Sequence, residues 1–115
     1  MEIIRKKQLE IFVTKDGRTP FTEWLESLKD KTSQFRIKER LDRVSLGNLG
    51  DYKSIGEGVY ELRLTIGPGY RIYFGLETDT FMILLLGGSK KGQQRDIHKS
   101  KEYWKDHLLM KRGKK

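Results

Sequence analysis

The chain contains no cysteine, which excludes disulfides, thiolate metal sites and cysteine nucleophiles. Histidine is almost as scarce. His98 and His107 are the two present, and their separation gives no basis for a zinc site. No dense group of carboxylates makes up for this, so neither a metal nor an organic cofactor is expected. The run Gly87, Gly88, Ser89, Lys90, Lys91 lacks the spacing of a nucleotide-cradling phosphate loop and reads as a flexible polar turn. Long apolar runs are also missing. The longest, Phe81 to Leu86, is far too short to cross a bilayer. The basic residues Arg5 to Lys7 are not followed by the apolar stretch of a signal peptide. These absences describe a soluble, cytoplasmic protein with no membrane partner.

Positive charge is abundant. The 115 residues carry 24 Lys and Arg against 16 Asp and Glu. The excess is uneven: residues 89–115 hold ten basic residues and three acids, whereas residues 57–88 hold two and four. A basic final quarter suggests a polyanion or an acidic protein as partner. The last residues, 111–115, read as a disordered basic tail on a single domain spanning 1–110.

Hydrophobic periodicity gives the order of elements. Leu9, Ile11 and Val13 alternate as a first strand, stopped at Asp16 and Gly17. Thr19 and Pro20 open a helix whose inward stripe is Phe21, Trp24, Leu25 and Leu28. Thr32 or Ser33 caps a second helix with Ile37, Leu41 and Val44 inward and Arg36, Arg40 and Arg43 on a solvated face. Gly47 ends it. Residues 52–55 form a short strand, and 81–86, apolar on both faces, an interior one. Asp96 caps a last helix with Ile97, Trp104 and Leu108 on one side. The expected fold is α+β: a mainly antiparallel sheet, two N-terminal helices and a C-terminal helix, with the helices on one sheet face.

Two strands between these elements carry the chemistry. In residues 59–64 and 70–74, Tyr60, Leu62, Leu64, Tyr70, Ile72 and Phe74 occupy one face, and Glu61, Arg63, Arg71 and Tyr73 the other. Pairing through the turn at 65–69 brings Arg63 and Arg71 together. Like charges facing each other across strands are destabilising unless an anion lies between them. A phosphodiester suits that place, because a guanidinium fork matches phosphate oxygens two at a time. The plain alternative pairs these arginines with Glu61 or Glu57 on a solvated face.

The ordered set Gly17, Pro20, Phe21, Trp24, Leu25; Gly47, Asn48, Gly50, Asp51; Glu61, Leu62, Arg63; Gly67 to Tyr73; and Leu85 to Lys90 with Gln94, Asp96 and Ile97 resembles the RelE/HigB-like toxin superfamily. Within it, the pattern is similar to the phage-derived, addiction-module killer subgroup, from about residue 10 to about residue 105. The resemblance implies a RelE-like microbial ribonuclease fold. It also implies a toxin of a type II toxin–antitoxin system, cutting messenger RNA on ribosomes without a metal. The expected partner is an antitoxin of helix-turn-helix type encoded beside it. The family's strand arginine falls on Arg71, its preceding basic residue on Arg63, and the basic residues after the last core strand on Lys90 and Lys91. Where some relatives carry a C-terminal tyrosine or histidine, this chain has Asp96, Ile97 and His98, so His98 stands in as proton donor.

Metal-free RNA cleavage uses the substrate's 2′-hydroxyl as nucleophile and needs a base, an acid and charge stabilisation at the phosphorane. Arginine, with a pKa above about 12, suits only the last role, which falls to Arg63 and Arg71. Lysine among other cations is able to act as base, which nominates Lys90 or Lys91. Tyr73 is read as a stacking or phosphate contact, and Arg95 joins the RNA-binding set. A non-catalytic RNA- or protein-binding member of the same fold is the alternative. His107 is read as packing near Trp104.

Overall fold

A computed structural model describes residues 6–112, so the N-terminal Arg5 and the end of the basic tail, 113–115, lie outside the described residues. The chain runs β1 (Gln8–Ile11), α1 (Pro20–Ser27), α2 (Lys31–Ser45), β2 (Tyr52–Gly56), β3 (Val59–Arg63), β4 (Tyr70–Leu76), β5 (Phe81–Ser89), a 3₁₀ turn (Lys90–Gly92) and α3 (Gln93–Arg112). The five strands form one sheet in the order β1-β5-β4-β3-β2. β2 to β5 are antiparallel neighbours, but β1 runs parallel to β5, so the sheet is mixed. The α+β class holds.

Each strand face has its own core. Leu62, Leu64, Ile72, Phe74, Met82 and Leu84 pack beneath Phe21, Leu25, Ile37 and Val44 of α1 and α2. Val59, Tyr73, Ile83 and Leu85 pack beneath Trp104 of α3, with Phe12 beside them. Helices therefore cover both faces, which corrects the expected one-sided packing. The cause is visible in the strands: Val59, Tyr73, Ile83 and Leu85 give the second face an apolar surface that only a helix could hide.

Local starts and stops follow familiar chemistry with several shifts. Pro20 occupies the first turn of α1, preset for helix, while Thr19 makes no side-chain cap. Asp30, rather than Thr32 or Ser33, caps α2, accepting from the Thr32 N–H at 3.0 Å and the Ser33 hydroxyl at 3.0 Å. Glu57 and Gly58 both have positive φ, 56° and 85°, and close the tight β2–β3 hairpin. In β1 the deeply buried residue is Phe12, just past the strand, whereas Ile11 and Val13 are exposed. Of the expected stripe, Leu9 packs against the core beneath α1 and α2, while Ile11 and Val13 do not.

β5 departs furthest from expectation. It continues through Gly87, Gly88 and Ser89, which the composition had marked as loop. Tyr73 pairs with Leu86 but Phe74 with Leu84, so Leu85 is an extra residue and the strand is bulged. α3 then starts at Gln93 after the 3₁₀ turn, with Asp96 inside its first turn instead of at the cap. It continues to Arg112, taking in Lys111 of the expected tail. Among the described residues no helix is long and apolar enough to cross a membrane.

Candidate functional site

The register places Arg63 directly opposite Arg71, and Glu61 opposite Tyr73. All four project to the α3 side of the sheet. The anion between the two arginines is supplied by the protein itself. Glu61 is fully buried, and Arg63 Nε donates to its Oε1 at 3.3 Å. Arg71 Nε lies 3.9 Å from Oε2. The same Oε2 accepts from the Tyr73 hydroxyl at 3.2 Å and from Gln93 Nε2 at 2.7 Å. Gln93 is the first residue of α3, so the carboxylate ties three elements together.

This network leaves donors over. Arg71 also uses Nη1, on the carbonyls of Gly69 at 3.1 Å and Tyr70 at 3.4 Å. Among the described residues, Nη2 of Arg71 and both Nη atoms of Arg63 have no protein acceptor. Arg63 is thus anchored to the carboxylate by its inner nitrogen, whereas Arg71 Nε lies beside it, buried and without a hydrogen-bond partner among the described residues, and both guanidinium groups have outer nitrogens to spare. An anion with several oxygens fits such an array. Arg63 is 37% exposed and Arg71 12%. Arg71 is therefore far more enclosed than two strand arginines on a solvated face would be.

The remaining predicted residues are divided. Lys90 lies in the 3₁₀ turn, and its Cβ and Arg71 Nη1 both border Gly69, 3.4 and 3.5 Å from where a side chain there would begin. Lys90 is therefore next to Arg71. Lys91 and Arg95 line a neighbouring pocket together with Trp24, Tyr70 and Asp96. His98 is 79% exposed and bonds Glu102 at 3.0 Å, on the solvent side of α3. It makes no hydrogen bond or ion pair with Arg63, Arg71 or Glu61. Tyr73 is fully buried, which corrects its reading as a stacking platform: no ring face is open to a base. Burial, reinforced by Glu61, raises its pKa strongly and keeps the phenol a neutral hydrogen-bond donor.

Gln93 was not singled out from the sequence, and Glu61 was named there only as the arginines' partner on a solvated face. A signal existed for Glu61, which sits two residues before Arg63 on the same strand face, but its burial depends on α3. His107 packs as expected, stacked on Trp104 with centroids 5.4 Å apart. Arg36, Arg40 and Arg43 line a groove between α2 and the β3–β4 turn, together with Arg63. Among the described residues, no three or more His, Asp or Glu converge into a metal-ligand group.

Fold and site together define a small α+β domain with a mixed sheet, in which a buried glutamate holds two adjacent strand arginines. No protein-family model matches the chain. It is 41% identical over 81 residues to an uncharacterized protein of Haemophilus influenzae, covering 70% of this chain and 82% of that one, and it belongs to the same family.

Proposed function

We propose that this protein is the toxin of a type II toxin–antitoxin pair, with a RelE-like fold, and that it cuts messenger RNA on translating ribosomes without a metal. The observation that carries the reading is the Arg63–Glu61–Arg71 bridge with its unused guanidinium nitrogens. Such a bridge costs desolvation free energy, and its unused guanidinium donors are placed to receive an anion with several oxygens. A scissile phosphate accepting from those donors would have its developing phosphorane charge met by groups already in position. Attack would come from the RNA's own 2′-hydroxyl, and Lys90, bordering Gly69 beside Arg71, is the nearest candidate to take its proton. The partner is an antitoxin of helix-turn-helix type that covers the same basic surface.

The solvent-facing position of His98 favours a second reading, RNA binding without cleavage. Purified protein with translating ribosomes, and with short RNAs in EDTA, separates the two. The expected products carry a 2′,3′-cyclic phosphate upstream, a 2′-deoxy residue at the cut site blocks the reaction, and Arg71→Lys is severely impaired, because an ammonium cannot reproduce a bidentate clamp. A 3′-hydroxyl upstream product, or full activity in a folded Arg71→Lys protein, would overturn the mechanism.

A further inference from the structure

The outer edge of β5 is covered for only part of its length. β1 pairs with residues Phe81 to Leu84, and the Phe12 N–H adds a bond to the Leu84 carbonyl at 3.0 Å. Beyond that point, among the described residues, β5 has no strand on its outer side. The bulge at Leu85 shifts the side-chain alternation for the rest of the strand, so that Gly87 pairs with Ile72 and Gly88 with Arg71. Both glycines make room. A Cβ on Gly87 would sit 2.1 Å from the Trp24 ring, and one on Gly88 would sit 1.9 Å from Asp96 Oδ2. The result is a pocket of about 490 Å³ between α1 and the start of α3. Trp24, Leu28 and Tyr70 give it an apolar wall, and Lys91, Arg95 and Asp96 a polar one.

Asp96 is the unusual member. Its side chain is only 13% exposed, yet among the described residues it accepts no hydrogen bond. The nearest cation, Arg95 Nε, is 3.9 Å away on a side chain that is 84% exposed. A carboxylate largely withdrawn from water, with no protein donor and only the pocket to face, is costly to maintain. Its burial raises its pKa, only partly opposed by Arg95. An ionised carboxylate accepts at two oxygens and donates nothing, so its natural partner brings two adjacent donors. Trp24 and Tyr70, edge to face at 5.6 Å between centroids, offer a wall suited to a flat ring. Arg71 lies across the ladder from Gly88, on the same face as Asp96, which puts the pocket one step from the phosphate site.

We propose that this pocket takes an unpaired guanine base of the RNA, with Asp96 accepting from the N1–H and the exocyclic amino group, beside the phosphate held by Arg71. Guanine is the base whose pairing edge carries two neighbouring donors; adenine and cytosine set an acceptor beside the amino group. The inference rests on the RNA-directed reading above and deepens it by naming what selects the substrate. An acidic peptide strand along the open edge is disfavoured by the carboxylate already inside.

The test is binding, measured apart from cleavage. Uncleavable 2′-O-methyl trinucleotides differing in one base are titrated into the labelled protein while the amide and indole N–H resonances are followed. The guanine oligonucleotide should bind about tenfold more tightly than its inosine and adenine counterparts, in line with the discrimination expected of a bidentate base contact. Its addition should shift the Trp24 indole and the Gly87 and Gly88 amides. Asp96→Asn should abolish the preference while leaving phosphate-driven binding in place. Equal affinities for guanine and inosine, a preference surviving in Asp96→Asn, or shifts absent from Trp24, Gly87 and Gly88 would overturn the proposal. So would displacement of the guanine oligonucleotide by an acidic peptide that itself shifts these resonances more strongly. Guanine-dependent binding without any cleavage would refute the nuclease alone. Cleavage with base-indifferent binding would refute the pocket alone.

Discussion

Glu61 separates what Arg63 and Arg71 do for stability from what they do for a ligand. Its carboxylate is fully buried and receives donors from Tyr73, Gln93 and Arg63, with Arg71 close by. Glu61→Ala would leave the enclosed Arg71 without its counter-charge, and removing one member of a buried pair costs on the order of 3–5 kcal/mol. Urea unfolding at neutral pH should show that loss, and an unchanged midpoint would contradict it. Glu61→Gln keeps an acceptor and should cost less. Arg63→Ala removes a partner that is 37% exposed, so its effect on stability should stay within about 1 kcal/mol while RNA binding falls. By the same logic Arg71→Ala strands a buried carboxylate. Alternation correctly assigned Glu61, Arg63, Arg71 and Tyr73 to one face, but it could not reveal that α3 would bury part of that face.

At the scale of elements, period-2 patterns were enough to find β3 and β4, and the register of their arginines followed from the turn between them. Gly87 to Ser89 were misread because glycine and serine are poor strand formers by propensity. Here they extend β5 because Trp24 and Asp96 need the space that side chains would fill. The bulge at Leu85 has no local sequence mark, since it arises from pairing with β4. α3 is fixed to the sheet by Trp104 and, near its end, by Glu77 of the segment following β4. Glu77 bonds His107 at 2.5 Å and also pairs with Lys111. The hydrogen bond from Lys111, then that from His107, lower the Glu77 pKa from its ordinary value. A depressed carboxylate stabilises the fold fully above the unfolded pKa of about 4.3 and loses that contribution as pH falls through the lower, folded value. Glu77→Gln should therefore lower the thermal midpoint near neutral pH, and the gap to the parent protein should close below about pH 4. A gap that persists unchanged into strong acid would show that the carboxylate's charge is not what holds the helix.

Across the whole molecule, the formal net charge of +8 was legible from composition, but where it becomes useful was not. The C-terminal excess is spread over the 3₁₀ turn, α3 and the residues beyond it, with Arg95, Lys99, Lys105 and Lys111 facing water on α3, whereas the two strand arginines sit in the segment with the lowest local balance. Long-range attraction and specific contact are therefore supplied by different parts of the chain, and salt dependence separates them. Each phosphate neutralised by a fixed cation releases counterions, giving a slope of log K against log salt of about −0.7 per contact for a single strand. Arg63→Gln and Lys90→Gln should each flatten that slope by about 0.7 for a short RNA, because both cations border the proposed phosphate position. Lys38→Gln, an equally large loss of charge on the exposed face of α2, should weaken binding slightly and leave the slope unchanged. If all three variants flatten the slope alike, RNA is held by the diffuse field of the surface. The bridge around Glu61 would then be a structural device with no claim on the ligand.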